Sequence, residues 1–170
     1  MDFPRILTPN WGLPDSHRIA VARQRGTYAQ LPRAFAMTPA EITAIVKDSG
    51  LRGRGGAGFP TGVKWGFVPA AEKRGGKPVY LLCNADESEP GTFKDRYCMW
   101  LDPHMLIEGM IIASRALDVH SAYIYIRGEF RYIARRLDEA IAEAYDAGFL
   151  GKNILGSGFD LDLHVHVGAG

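Results

Sequence analysis

The apolar positions of this chain change period several times, and each change marks an element. Ile42, Ile45 and Val46 recur at i, i+3 and i+4 behind Thr38-Pro39-Ala40-Glu41. That tetrapeptide is a capping box with proline in the first helical position, so a helix is predicted from Thr38, stopped by Gly50 as a left-handed cap. Pro78 to Cys83 is a short, continuous apolar run, as expected of a buried strand in a parallel sheet covered on both faces. Asp102-Pro103 opens a second helix running to about Leu117, with Leu106, Met110, Ala113 and Leu117 on one face. Ala122 to Ile126 reads as a second strand, and Phe130 to Ala147 as a long helix ended by Gly148. Leu161, Leu163, Val165 and Val167 alternate with Asp160, Asp162, His164 and His166, which predicts a period-two strand with one wetter face.

From residue 78 onward the order is strand, helix, strand, helix, strand. That alternation predicts an α/β fold, a parallel sheet flanked by helices with right-handed crossovers. Ligands of such sheets bind outside the carboxyl ends of the strands. The polar loop 84–90 follows the first strand, and Gly168-Ala169-Gly170 follows the third, where a further turn would begin. A chain that stops in mid-connection reads as a fragment of a longer protein. Residues 1–37 read as a separate irregular extension, because Pro4, Pro9, Pro14 and Pro32 break any long helix. Over residues 1–36 five arginines stand against Asp2 and Asp15, net +3. Such an arm lies on the domain or on a partner, or is a solvated basic tail. The domain proper is residues 38–170.

Composition narrows the function classes. The 170 residues carry a formal net charge of +1 and are 46% hydrophobic, which excludes a disordered chain and a nucleic-acid binder working by bulk charge. Cys83 and Cys98 are too few for a disulfide scaffold or a four-thiolate metal site. Two free thiols, and an opening Met1-Asp2-Phe3-Pro4 without a basic-then-apolar leader, point to a reducing, cytosolic compartment. The most apolar stretch, Met105 to Ala116, is too short to span a bilayer.

Glycine is the outlier, 20 of 170, and five glycines crowd the segment Leu51-Arg52-Gly53-Arg54-Gly55-Gly56-Ala57-Gly58-Phe59-Pro60-Thr61-Gly62-Val63-Lys64-Trp65. Gly53, Gly55 and Gly58 formally match G-x-G-x-x-G, but a helix precedes them, and Lys73, Arg74 and Lys77 lie near the position where the dinucleotide fingerprint needs an acid. No Walker lysine follows either. What remains is physical: consecutive glycines bare their N–H groups, and such nests bind anions. Arg54 and Lys64 add positive charge for a phosphate, and Phe59 and Trp65 offer flat faces for a ring. A flexible surface loop is the plainer alternative, and an RNA-binding arginine–glycine tract a poorer one.

The second segment is Cys83-Asn84-Ala85-Asp86-Glu87-Ser88-Glu89-Pro90-Gly91-Thr92-Phe93-Lys94-Asp95-Arg96. Three carboxylates in four positions can accept bonds from ribose or ribityl hydroxyls, ligate a hard cation, or supply Glu87 and Glu89 as an acid/base pair. The plainer reading is a solvated turn with Asp95 capping the next helix. His164 and His166 share a strand face, but no further metal ligand is evident nearby. Cys83 and Cys98 read as core.

Together these two segments resemble the flavin-bearing, NADH-oxidising subunits of respiratory complex I, the family of F subunits of NADH-quinone oxidoreductases. Flavoprotein subunits of NAD-linked formate dehydrogenases and NAD-reducing hydrogenases are similar. The likeness covers about residues 38–170 and is densest from 49 to 109. It implies a Rossmann-like domain that binds FMN and takes a hydride from NADH, NAD(H) being the second cofactor. By position, Gly53, Arg54, Gly55, Gly56, Ala57 and Gly58, with Pro60, Thr61 and Gly62, would line the cofactor cavity. Lys64, Asn84 and Asp86 match flavin contacts, with Glu87 nearby. Phe59 and Phe67 match aromatics that stack on the NADH rings, and Glu89 matches a dinucleotide contact. The resemblance further implies a 4Fe-4S cluster only in a C-terminal part beyond residue 170. It implies as partners a thioredoxin-like 2Fe-2S subunit and a large iron–sulfur subunit, no nucleic acid, and a cytoplasmic position peripheral to the inner membrane through the complex. A diaphorase subunit and a cofactor-free docking fragment are the alternatives.

Overall fold

The computed structural model describes residues 4–169. The leader reading at Met1 to Phe3 and the further turn expected at Gly170 lie outside the described residues. Helix α3 (Pro39–Asp48) starts as its capping box dictates: Thr38 Oγ1 accepts from the Glu41 amide at 3.3 Å, and the Glu41 carboxylate accepts from the Thr38 amide at 2.8 Å. Gly50 follows at φ +69°. Only Ile42 of the predicted stripe is buried; Ile45 is exposed.

Three parallel strands, β1 (Leu81–Ala85), β2 (Ser121–Arg127) and β3 (Asp162–Gly168), stand in the order β1-β2-β3. Between β1 and β2 run α5 (Asp95–Leu101) and α6 (Pro103–Leu117); α7 (Arg131–Asp146) links β2 to β3. The α/β order is as predicted. The first strand begins three residues later than its apolar run, because Pro78 to Tyr80 pair with nothing in the sheet.

One face of the sheet carries the core. Ala85, Ala122, Ile124, Ile126 and Leu163 pack with Ile107, Met110 and Ile111 of α6 and Ile133, Leu137 and Ile141 of α7. Each fully buried aliphatic side chain contributes roughly 1.5–3 kcal/mol. The expectation of cover on both faces of the first strand fails, while the wetter face expected of the third is found. Leu82 is 65% exposed, and Tyr123, Tyr125, His164 and His166 line up beside it. Tyr125 stacks on His166 at 5.5 Å and Tyr123 lies tilted over His164 at 5.3 Å. Period-two alternation sends alternate side chains to opposite faces, and both crossover helices α6 and α7 pack on the aliphatic one.

The N-terminal arm is not irregular throughout. It holds α1 (Ile19–Gln24) and α2 (Leu31–Phe35), with Pro32 accepted in the first turn of α2. Ala22, Tyr28, Leu31 and Ala34 are buried, and the Tyr28 ring stacks on Phe149 at 4.3 Å. The arm lies on the domain. Asn10 Nδ2 donates to the buried Asp102 carboxylate at 2.8 Å, and Arg18 pairs with Glu143 of α7 at 2.9 Å. Arg74 fastens the segment before β1: its guanidinium donates to the carbonyls of Pro69, Leu117 and Asp118 at 2.6–2.9 Å, capping the end of α6.

Candidate functional site

The glycine segment is a hairpin. Arg52 and Pro60 bridge antiparallel, the Gly53 amide donates to the Phe59 carbonyl at 3.0 Å, and the Thr61 amide donates to the Leu51 carbonyl at 2.8 Å. Arg52 also donates to the Gly58 carbonyl at 3.0 Å. Among the described residues the amides of 54–58 donate to no protein acceptor. Gly56 and Gly58 sit at φ +109° and +60°, which only glycine adopts without strain. Arg54, Gly55 and Ala57 are exposed at the tip.

Pro60 precedes the short helix α4 (Thr61–Trp65), and Gly62 is there for packing: a Cβ would fall on the Lys47 backbone of α3. Lys64 is exposed and joins no ion pair among the described residues. Phe59 and Phe67 are 46% and 69% exposed with ring centroids 6.1 Å apart, so the two predicted stacking aromatics are brought together at the surface. A cleft of about 890 Å³ opens between α3, α4 and the segment to Arg74, with Gly62, Trp65 and Phe67 in its wall.

The acidic turn leaves the carboxyl end of β1. Asn84 is exposed on the bare face, and its Oδ1 accepts from the Asp86 amide at 3.0 Å. Glu89 is exposed. Glu87 departs from expectation. Its side chain has no exposure, and its carboxylate accepts from the Lys94 and Asp95 amides at 2.7 Å each and from Arg96 Nε at 2.6 Å. Glu87, not Asp95, caps α5. Burial alone would push its carboxyl up, but Arg96 and the backbone donors hold it below the usual range. The Glu87 carboxylate is thus committed to the start of α5 and to Arg96.

Asp86 is half-buried, and its Oδ1 is shielded from solvent without a hydrogen-bond partner. Arg127, at the end of β2, stands 3.7 Å from that oxygen and donates to the Glu87 carbonyl at 3.2 Å. Residue patterns miss this arginine, since only the pairing of β1 with β2 brings it to the turn. Near it, at the ends of β2 and β3, a hollow of about 520 Å³ is lined by Gly128, Arg131, Arg135 and Gly168.

The hairpin and the acidic turn are not joined: among the described residues no hydrogen bond or ion pair links 53–59 with 84–89, and neither the α3–α4 cleft nor the hollow draws on both. Nor do three or more His, Cys, Asp or Glu side chains among them converge as a metal site. Cys83 and Cys98 share a small apolar cavity with Met105 and Leu106. Burial pushes the Cys83 thiol up to about 11 and raises Cys98, so neither is a reactive thiolate at neutral pH. No helix among the described residues is long and apolar enough to cross a membrane.

A parallel α/β sheet with an acidic turn at its carboxyl end, in a chain that also carries a glycine hairpin with unclaimed amides, defines a class: α/β domains built like nucleotide-cofactor binders. The particular family follows from comparison with known proteins. The chain belongs to the family described as the Nuo51 FMN-binding domain (Complex1_51K), which matches residues 46–170. It is 53% identical over 169 residues to the second F subunit of NADH-quinone oxidoreductase in Rhizobium meliloti (strain 1021), covering 99% of this chain and 39% of the relative. It is 56% identical over 157 residues to the NADH-quinone oxidoreductase F subunit of Aquifex aeolicus (strain VF5), covering 92% and 36%. The solved structure of an NAD+-reducing NiFe-hydrogenase in the H2-reduced state is similar at a TM-score of 0.66 and 38% identity, over 81% of this chain and 23% of that one. The chain thus spans less than two fifths of the length of the curated relatives it matches.

Proposed function

We propose that this chain is the FMN- and NADH-binding part of an NADH dehydrogenase flavoprotein subunit of an NADH-quinone oxidoreductase. The observation that carries the reading is the hairpin with five unclaimed amides in a chain of the FMN-binding family. Bound FMN would supply the conversion of a two-electron hydride donor into single electrons. The residues present fit such a group in kind. Amides 54–58, Arg54 and Lys64 offer donors and charge to a phosphate. Asp86 Oδ1 is a shielded acceptor awaiting a donor, and Asn84 stands beside it. Phe59 and Phe67 stack nucleotide rings. Glu89 contacts the dinucleotide, and Glu87 acts through the α5 cap. No side chain need be a nucleophile or acid.

Iron–sulfur clusters outside these residues would be the electron acceptors: a 4Fe-4S cluster in a C-terminal part and a thioredoxin-like 2Fe-2S subunit, with a large iron–sulfur subunit beyond. The position is cytoplasmic and peripheral to the inner membrane through the complex. A diaphorase subunit of an NAD-linked hydrogenase is the second reading, favoured by the 38% identical hydrogenase structure; the electron acceptor separates the two. The test is titration of the purified protein with FMN, followed by anaerobic NADH. Saturable quenching of flavin fluorescence and bleaching of its visible absorbance are expected. No quenching at saturating FMN overturns the reading.

A further inference from the structure

We infer that Arg127 is the positioning residue of the acidic turn: its guanidinium sets where the Asp86 carboxylate and the Glu87 carbonyl stand, and through them the affinity for FMN. This rests on the functional reading above. Arg127 lies one step beyond the Ala85–Ile126 register pair, so it leaves β2 beside the turn that leaves β1.

Its guanidinium faces three groups. Nη1 donates to the Glu87 carbonyl at 3.2 Å. Nε and Nη2 donate to the two oxygens of the exposed Glu129 carboxylate at 3.2 and 2.9 Å. Nε also stands 3.7 Å from Asp86 Oδ1, an ion pair too long for a hydrogen bond.

That last distance is the informative one. A shielded carboxylate oxygen without a donor is costly unless something supplies one. Asp86 Oδ2 has only a long 3.4 Å contact from Ser88 Oγ, so the turn itself does not satisfy the side chain. Arg127 balances the charge of Asp86 but leaves its acceptor open, because Glu129 claims the nearest N–H groups. The open acceptor suits a ligand hydroxyl or ring N–H. The turn is thereby clamped twice, by Arg96 on the Glu87 carboxylate and by Arg127 on the Glu87 carbonyl.

The experiment titrates FMN into the purified protein and into Arg127→Gln, Arg127→Lys, Asp86→Asn and the Arg127→Gln/Asp86→Asn double variant. Amide exchange is measured on the same proteins without flavin. Arg127→Gln is expected to weaken FMN by about tenfold, with the double variant well short of the sum of the two single losses, because the two residues share the Asp86 carboxylate while Arg127 alone holds the Glu87 carbonyl. Arg127→Lys keeps the charge but not the fork, and falls between. Amides 86–95 exchange faster in Arg127→Gln while those of α6 do not change. Unchanged FMN affinity in Arg127→Gln, or losses that simply add to those of Asp86→Asn, overturns the inference. Loss of α6 protection also overturns it, reducing Arg127 to a fold-keeping residue. Failure of the unsubstituted protein to bind FMN overturns the functional reading and the cofactor half of this one, and the exchange data alone then decide whether Arg127 holds the turn.

Discussion

The Tyr28 hydroxyl lies 2.7 Å from His104 Nδ1, joining the N-terminal arm to α6 across 76 residues of chain. The other ring nitrogen of the fully buried His104 lies 3.1 Å from Glu143 of α7, and the same carboxylate oxygen accepts from the Ile19 amide at 2.7 Å. One neutral tautomer satisfies both contacts: Nε2–H donates to Glu143 and Nδ1 accepts from Tyr28. This relay, with the Tyr28–Phe149 stack, fixes the arm to the domain. His104→Ala leaves the hydroxyl and the carboxylate short of a buried partner and opens a void. A loss of about 2–4 kcal/mol is expected in urea unfolding, against about 1 kcal/mol for Tyr28→Phe.

The same histidine gives stability a pH dependence. Burial lowers the His104 pKa below its ordinary 6.5, the Glu143 contact opposing but not reversing the shift. Between the folded and unfolded values the unfolded chain binds the extra proton, so stability falls as pH drops below about 6.5 and is level above it. His17 is lowered too, chiefly by burial, and adds to the slope. Unfolding free energies at pH 7.5, 6.5 and 5.5 should show the decline, and His104→Gln should flatten part of it. A wild-type curve that is level across this window would contradict the assignment.

Glu87 carries a separate acid-side dependence. Its carboxyl is held below its ordinary 4.5, so its contribution is complete above that value and fades as pH falls further. Glu87→Ala orphans the Lys94 and Asp95 amides and strips Arg96 of its carboxylate, leaving it the Thr92 carbonyl. About 3 kcal/mol should be lost, with α5 amides exchanging first. Glu87→Gln should lose less and should lessen the slope below pH 4.5.

Glu87 also marks the limit of what the sequence discloses. The capping box at Thr38 is legible because its donors and acceptors lie within four residues, and the strand–helix alternation because burial on one face imposes a period. The capping role of Glu87 is hidden in the sequence because its donors lie seven to nine residues downstream, where no local pattern links them. Arg127 reaches the turn only through the parallel register of β1 with β2. The bare sheet face is legible only at β3, whose alternation puts His164 and His166 on a wetter side; at β1 and β2 it is hidden, because Leu82, Tyr123 and Tyr125 suit a core and only the packing of both crossover helices on the other side exposes them. The order in the arm escapes sequence reasoning because Ala22, Tyr28, Leu31 and Ala34 follow no single period.

Gly168 tests the bare face. A Cβ there would fall on the hydroxyl and ring of Tyr125, which lies across the end of β3. Gly168→Ala must displace that ring from its stack on His166, at a cost of about 1–3 kcal/mol. Tyr125→Ala should make the glycine substitution nearly neutral, a coupling that thermal unfolding of the four proteins measures directly.

Two glycines of the hairpin region separate packing from binding. Gly62 is wedged against Lys47, so Gly62→Ala should lower stability by about 1–3 kcal/mol whether or not FMN is present. Gly55 has open space around its Cβ position and no positive φ, so Gly55→Ala should leave the melting temperature of the flavin-free protein within experimental error. If amides 54–58 hold a phosphate, the added methyl crowds the approach, and FMN affinity should fall by about tenfold. On the proposed reading exposed Lys64 serves the same ligand by charge alone, so Lys64→Ala should weaken FMN without touching stability. Glu89→Gln should shift NADH affinity while flavin content stays constant. Equal FMN affinity in Gly55→Ala and Lys64→Ala would take the hairpin out of the flavin site, because neither residue has a packing role through which a loss could be masked.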